Sequence, residues 1–266
     1  MFKFQLFFLS LIPTLAGLFA INQIQDQGKT QPHKTHLTIS AAISLRESLE
    51  EIKEIYHHFQ PNINLSYNFG ASGSLKQQIE NSAPVDLFFS AAAHHIATLE
   101  EKQLLLSNTK QNILSNQLIL ITPKTQNNIK KLQDLNTNQV QYLGLGNIAT
   151  VPAGQYAVQA LQHHQLWRRI QRKIVFTKDV RSVVTYVELG NVDAGIVYRT
   201  DVLKSQKVHI VTPIELEAHE PIVYAIAAIN HTPYPKAAKE FIEFLSKEGS
   251  TQIFQKHGFK IINSAE

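Results

Sequence analysis

From residue 36 onward, short continuous apolar segments alternate with longer segments whose apolar residues recur every three or four positions. The first pattern is typical of buried strands and the second of amphipathic helices. The predicted strands are 36–42, 63–70, 85–92, 116–123, 141–147, 173–177, 194–200, 207–213 and 221–229. The predicted helices are 44–59, 74–83, 94–105, 152–165, 180–189 and 235–249, the last closed by Gly249 at its C-terminal cap. This alternation predicts an α/β fold with mixed, mainly parallel sheets flanked by helices.

Nine strands are many for one sheet, so we expect two lobes of similar size. The segments 116–123 and 221–229 are long β runs without an adjoining short helical turn, and we expect them to form a two-strand hinge. This assignment places residues 36–115 and 222–266 in lobe 1 and residues 116–221 in lobe 2.

The first segment of the chain has the pattern of a targeting sequence. Residues 1–21 carry one basic residue, Lys3, followed by an apolar run that ends among small residues, which is typical of a secretory signal peptide. The alternative is a retained membrane anchor, which Pro13 and Gly17 disfavour. Residues 22–35 are polar and predict a flexible leader. We therefore expect export to the periplasm or another extracytoplasmic space.

Composition removes several classes of function. The chain has 266 residues, no cysteine, a formal net charge of +4 and 17% charged residues. Disulfide scaffolds, cysteine-ligated zinc, iron–sulfur clusters, cysteine nucleophiles and cysteine-linked lipid anchors are excluded. The basic excess is small and dispersed, so nucleic acid is not an expected partner.

Three motifs suggest an enzyme or a metal site, but each departs from the pattern it needs. The segment 70–74 lacks the last glycine of a nucleophile elbow, and 144–149 resembles a dinucleotide turn without the acidic residue that should follow. Adjacent helical residues point about 100° apart, so histidine pairs cannot chelate one metal ion. We expect the pairs to be solvated helix-face residues: His57 and His58, His94 and His95, and His163 and His164.

Ligands of open α/β sheets lie at the carboxyl ends of strands, against helix N-termini. Five positions at such places are candidates for binding: the side chains of Ser44, Ser72 and Tyr198, and the backbone N–H groups at Ala153 and Val180. Hydroxyls and first-turn N–H groups are neutral donors, which suits a small, fully deprotonated anion.

Each candidate also has a structural alternative. Ser44 stands three residues before Glu47, as in a capping box, while Ser74 can cap the second helix and leave Ser72 free. A tyrosine at a strand end, such as Tyr198, is commonly a core residue.

Five segments resemble the periplasmic molybdate-binding proteins of ABC importers, which have the type II periplasmic-binding-protein fold. They are AAISL (41–45), FGASGSLKQQIENSAPVDLFFSA (69–91), GLGNIATVPAGQYAVQAL (144–161), DVRSVVTYVELGNVDAGIVYRTD (179–201) and FQKHGF (254–259). By position, the resemblance assigns the oxyanion-binding hydroxyls and amides to Ser44, Ser72, Ala153, Val180 and Tyr198. The resemblance implies that these groups bind the oxygens of molybdate rather than a bare metal ion. The departures at Ile43, in the turn 70–71 and at Arg199 remove none of these donors.

The resemblance implies a monomeric solute-binding protein without enzymatic activity or cofactor. It captures molybdate or tungstate between two lobes and delivers the anion to an ABC permease in the membrane. The alternatives are a binding protein for sulfate, phosphate or another small anion, and a secreted serine hydrolase that uses Ser72.

Overall fold

A computed structural model describes residues 34–126 and 128–262. The predicted signal segment and the leader as far as residue 33 lie outside the described residues. Within the described ranges, no helix combines the length and hydrophobicity needed to cross a bilayer.

Helices and strands alternate through most of the described chain. The strands are β1 (Thr35–Ala42), β2 (Ile63–Gly70), β3 (Leu87–Ser90), β4 (Gln111–Ser115), β5 (Leu118–Pro123), β6 (Leu143–Gly146), β7 (Ile174–Thr177), β8 (Ala194–Tyr198), β9 (Val208–Pro213), β10 (Val223–Ala228) and β11 (Lys260–Ile261). The α-helices are α1 (Arg46–Phe59), α2 (Ser72–Glu80), α3 (Ala93–Glu101), α4 (Pro152–His163), α5 (Trp167–Ile170), α6 (Val180–Glu188), α7 (Pro235–Leu245) and α8 (Glu248–Lys256).

The strands form two mixed sheets, each the centre of one lobe. Lobe 1 has the strand order β11-β4-β10-β3-β1-β2, and lobe 2 has the order β7-β6-β8-β5-β9. Strands linked by helices pair in parallel: β1 with β2 and β3, and β6 with β7 and β8. The pairs made by β4, β5, β10 and β11 are antiparallel. Two α/β lobes with mixed sheets agree with the predicted fold class.

The chain passes between the sheets in two connections, residues 116–117 and 214–222. Each of the two strands predicted to cross, 116–123 and 221–229, lies in one sheet only: β5 belongs to lobe 2 and β10 to lobe 1. The lobe limits derived from the sequence stay a prediction.

Burial of the apolar faces explains the layers. Strand β3 is wholly buried and β1 is buried from Ile39 to Ala42, as expected for central strands covered on both faces. Helix α1 is held against α7 by Tyr56, whose ring lies edge-on to Phe241 at 5.0 Å and to Phe244 at 4.9 Å between ring centres. Helices α1 and α7 therefore pack together against the lobe 1 sheet.

Two local predictions are wrong, and the strand β4 is an element that was not predicted. Helix α2 begins at Ser72 instead of residue 74, so Ser74 is inside the helix and does not cap it. The strand β4 was not predicted, because its polar residues interrupt the apolar run. Gly249 lies within α8 and does not close the preceding helix, because the chain leaves α7 at Ser246 and starts a new helix after Lys247.

Candidate functional site

The first candidate donor, Ser44, lies in a 3-10 turn (Ile43–Leu45) between β1 and α1. Its side chain is buried, and its Oγ is 2.9 Å from the hydroxyl oxygen of Tyr224. It does not cap α1, and Glu47 pairs with Arg181 instead of completing a capping box. The structural alternative for Ser44 is therefore wrong.

The second candidate, Ser72, is the first residue of α2 and is 1% exposed. Its Oγ accepts a hydrogen bond of 3.0 Å from the backbone N–H of Ala91. Because this bond uses a lone pair of the oxygen, the hydroxyl proton remains available for donation. Within residues 34–126 and 128–262, Ser72 makes no hydrogen bond to an imidazole, so it does not form a Ser–His pair.

The two lobes touch next to Ser72. The backbone N–H of Gly73 in lobe 1 donates to the carbonyl oxygen of Thr150 in lobe 2 over 2.8 Å. A Cβ atom at Gly73 would lie 2.7 Å from the Thr150 Cα, which is too close for a real contact. Only glycine therefore permits this approach of the lobes.

Two helix N-termini of lobe 2 supply the candidate amides. Helix α4 begins with Pro152, so the N–H of Ala153 lies in a first turn that has no acceptor within the helix. Helix α6 begins at Val180 after Asp179, whose carboxylate caps the helix by accepting from the N–H of Ser182 over 2.8 Å. Both predicted helix starts are confirmed, and both candidate residues are buried.

The third side chain, Tyr198, ends β8 and is 1% exposed. Among the described residues its hydroxyl has no hydrogen-bond partner, although it is buried. Burial raises the pKa of this phenol well above its ordinary value, so the group stays protonated and can donate. A buried hydroxyl without a partner costs about 1–3 kcal/mol. A ligand that accepts a hydrogen bond from this hydroxyl would remove that cost.

A charged cluster lies beside these donors. Arg181 bonds to Glu47 of lobe 1, and its Nε lies 3.0 Å from Oδ1 of Asp201, at an angle poor for a hydrogen bond. The other carboxylate oxygen of Asp201 accepts from the N–H of Tyr198 over 3.2 Å. Burial raises the pKa of Asp201 from 3.8 to about 7, because loss of hydration outweighs the attraction of Arg181.

Contacts across the interface of the lobes link the five candidates in two groups, Ser44 with Val180 and Tyr198, and Ser72 with Ala153. Ser44 contacts Tyr224, whose ring centre is 5.9 Å from that of Tyr198. Helix α6, which starts at Val180, contacts the 3-10 turn that holds Ser44. The contact between Gly73 and Thr150 joins the Ser72 turn to the segment before Ala153.

Sequence reasoning missed the residues that support these donors, chiefly Asn116 and Tyr224. Asn116 is buried and donates to Tyr224 over 3.1 Å and to Thr200 over 2.9 Å. Tyr224 is the only polar side chain in β10, and that isolated polar position in an apolar strand is the signal that marks it.

The histidine pairs do not form a metal site. Among the described residues, no group of three or more His, Cys, Asp or Glu side chains is arranged to hold a metal ion. The expectation that every paired histidine is solvated is wrong for His95, which is 5% exposed. Burial lowers the pKa of His95 to about 3, so it is a neutral core residue.

Two α/β lobes joined by two connections, with buried donors where they meet, define a two-lobed binding protein. A family model described as a bacterial extracellular solute-binding protein matches residues 37–260, and the chain belongs to that family. Its members are solute-binding proteins and not enzymes, in agreement with the sequence prediction.

Individual named proteins are similar to the chain. A Bacillus subtilis (strain 168) protein, YvgL, provisionally named an ABC transporter substrate-binding lipoprotein, is 38% identical over 97% of this chain and 98% of that protein. The molybdate-binding protein ModA of Haemophilus influenzae is 32% identical over 84% of this chain and 89% of that protein. A periplasmic molybdate-binding protein of Azotobacter vinelandii aligns with a TM-score of 0.77 over 85% of this chain and 100% of that chain. Its identity is 20%, so this likeness shows the fold alone.

The carboxyl of Asp201 makes stability depend on pH. The pKa is raised in the folded protein, so between 3.8 and about 7 the folded state holds a proton that the unfolded chain has released. We expect the free energy of unfolding, relative to that of the Asp201→Asn variant, to fall by up to ~4 kcal/mol as pH rises through this window.

Urea unfolding of both proteins between about pH 4 and about pH 8 measures this difference. Because the two proteins share every other titrating group, subtraction leaves the contribution of Asp201. Parallel pH curves would contradict the prediction.

Proposed function

We propose that this protein captures molybdate or tungstate between its two lobes and delivers the anion to an ABC permease. The observation that carries the proposal is the Tyr198 hydroxyl, buried and, within the described chain, without a hydrogen-bond partner. The other neutral donors in the proposed set are the Ser72 hydroxyl and the first-turn amides of α4 and α6. The name of the Haemophilus relative, molybdate-binding protein ModA, supports the same ligand.

The donor set fits the chemistry of this ligand. Molybdate and tungstate are tetrahedral dianions without a proton at neutral pH, so they only accept hydrogen bonds. Phosphate carries a proton under these conditions, and a site made of donors would leave it unpaired at a cost of roughly 1–3 kcal/mol. Sulfate also lacks a proton but is smaller, so its hydrogen bonds in the same site would be stretched and weak.

In this proposal, helix dipoles and not a basic side chain offset the charge of the bound anion. Each helix N-terminus contributes about half an elementary positive charge, and α4 and α6 both begin at proposed donors. The absence of a fixed cation in the proposed donor set also favours release at the permease.

The mechanism that fits this arrangement is hinge closure. Ser44 and Ser72 belong to lobe 1, whereas Ala153, Val180 and Tyr198 belong to lobe 2, so the ligand is fully bound only when the lobes meet. We infer that the protein acts as a monomer after export through residues 1–21, in the periplasm or another extracytoplasmic space. No cofactor takes part in this cycle, and the partners are the oxyanion and the permease.

A panel of anions tests the proposal directly. Molybdate and tungstate are expected to raise the thermal midpoint, because a ligand present at 100 times its Kd stabilises the folded state by about 2.7 kcal/mol. Sulfate and phosphate at the same concentration are the matched controls and should give little shift. A shift with sulfate or phosphate alone would favour another anion as ligand, and no shift with molybdate or tungstate would contradict the proposal.

Tyr198→Phe separates ligand binding from folding. Removal of a hydrogen bond to a charged ligand should weaken molybdate binding by ~1.5–3 kcal/mol in isothermal titration calorimetry. The midpoint of the ligand-free protein should stay the same or rise, since the variant removes a buried, unsatisfied hydroxyl.

The half-exposed Tyr186 in α6 provides the control, and Tyr186→Phe should leave affinity unchanged. Equal affinities of the Tyr198→Phe variant and the unchanged protein would remove Tyr198 from the site.

Gly73→Ala tests closure of the lobes. The added Cβ would overlap the backbone of Thr150, so the closed form should be destabilised by ~1–3 kcal/mol and Kd raised roughly 5- to 150-fold. Gly249→Ala is the matched control, because a Cβ there meets only Ile55 at an ordinary 3.6 Å. Undiminished molybdate affinity of the Gly73→Ala variant would show that binding does not need this contact.

A further inference from the structure

A chain of buried hydrogen bonds runs from the first connection between the lobes to Ser44. The side-chain nitrogen of Asn116 donates to Thr200 over 2.9 Å and to the Tyr224 hydroxyl over 3.1 Å. The Tyr224 hydroxyl is in turn 2.9 Å from Ser44 Oγ. All four side chains are less than 9% exposed, so water does not substitute for these partners.

The direction of this chain follows from its first member. The Oδ1 atom of Asn116 accepts from the backbone N–H of Gln117 over 2.8 Å, which fixes the orientation of the amide. Both hydrogens of the amide nitrogen are then used, one on Thr200 and one on Tyr224. The oxygen of Tyr224 is therefore an acceptor toward Asn116, and its own proton must go elsewhere.

Ser44 is the acceptor for that proton. Among the described residues, the hydroxyl of Tyr224 has hydrogen-bond contacts with Asn116 and Ser44. Burial raises the pKa of Tyr224 above its ordinary value, so the phenol keeps its proton. If Ser44 donated to Tyr224 instead, the Tyr224 proton would be buried without an acceptor.

We propose that Asn116 and Tyr224 are positioning residues that hold Ser44 as a hydrogen-bond donor toward the bound oxyanion. Because Ser44 accepts from Tyr224, its single proton is directed away from that contact and is available to the ligand. If Ser44 also accepted a hydrogen bond from a protonated oxyanion, its own hydroxyl proton would be left without an acceptor. This relay of hydrogen bonds from Asn116 through Tyr224 to Ser44 therefore favours proton-free anions. This inference rests on the proposed function.

A double-mutant cycle tests whether Tyr224 acts through Ser44. The Kd for molybdate is measured by calorimetry for the unchanged protein, Ser44→Ala, Tyr224→Phe and the double variant. Each single variant should bind roughly tenfold more weakly, which corresponds to one lost hydrogen bond. The double variant should bind no more than about twofold more weakly than Ser44→Ala alone, because without Ser44 the relay has nothing to position.

A purely structural role of Tyr224 gives a different result. Phenylalanine keeps the ring contacts with Tyr198 and Phe259, which have centre distances of 5.9 Å and 5.3 Å. If Tyr224→Phe fails to fold, Asn116→Ser replaces it in the cycle. The amide nitrogen of Asn116 donates to both Thr200 and Tyr224, whereas a serine hydroxyl has only one hydrogen and cannot make both bonds. The relay would be overturned if the losses of binding free energy added in the double variant. It would also be overturned if Tyr224→Phe, or Asn116→Ser in its place, left the affinity for molybdate unchanged.

The unchanged protein distinguishes failure of the relay from failure of the proposed function. If it binds molybdate and the losses add, the relay is wrong and the function stands. If it binds neither molybdate nor tungstate, the proposed function is wrong, and the relay, which rests on it, is wrong as well.

Discussion

The constraint on which this structure depends is that the first N–H groups of a helix have no acceptor within that helix. In both lobes, parallel strands end at one edge and pass directly into helices, which brings such groups to the interface of the lobes. Asp179 satisfies one of them by capping α6, and the first turn of α4 has Pro152, which has no N–H to satisfy. Those that remain form a donor surface that costs free energy unless an acceptor covers it.

In the proposed mechanism, closure of the lobes and formation of the site are one event, because the same short segments take part in both. Gly73 bridges to Thr150 next to Ser72, and Arg181 reaches Glu47 directly after Val180. A displacement of one lobe would therefore separate donors and break cross-lobe contacts together. This coupling is what allows a binding protein to report its loaded state through its shape.

The sequence predicted the features that depend on local pattern, and missed those that depend on distant partners. Helix starts at Pro152 and Val180 follow from proline and capping chemistry within a few residues. The contact of Ser44 with Tyr224 joins positions 180 residues apart, so no local pattern encodes it. His95 was missed for a related reason, since its burial is set by packing of α3 and not by its own helix. The placement of the five candidate donors came from strand-to-helix junctions together with the family resemblance.

A cation beside one candidate donor illustrates why net charge predicts little about such a protein. Arg181 follows a candidate donor directly, yet Glu47 and Asp201 already engage it. With the pKa of Asp201 raised to about 7, the three side chains together are close to neutral when that carboxyl holds its proton. The guanidinium therefore orders the interface of the lobes instead of supplying a free charge for a ligand. In the proposed function, attraction of the anion then comes from oriented dipoles, which are present only where the fold aligns them and do not enter the +4 of the composition.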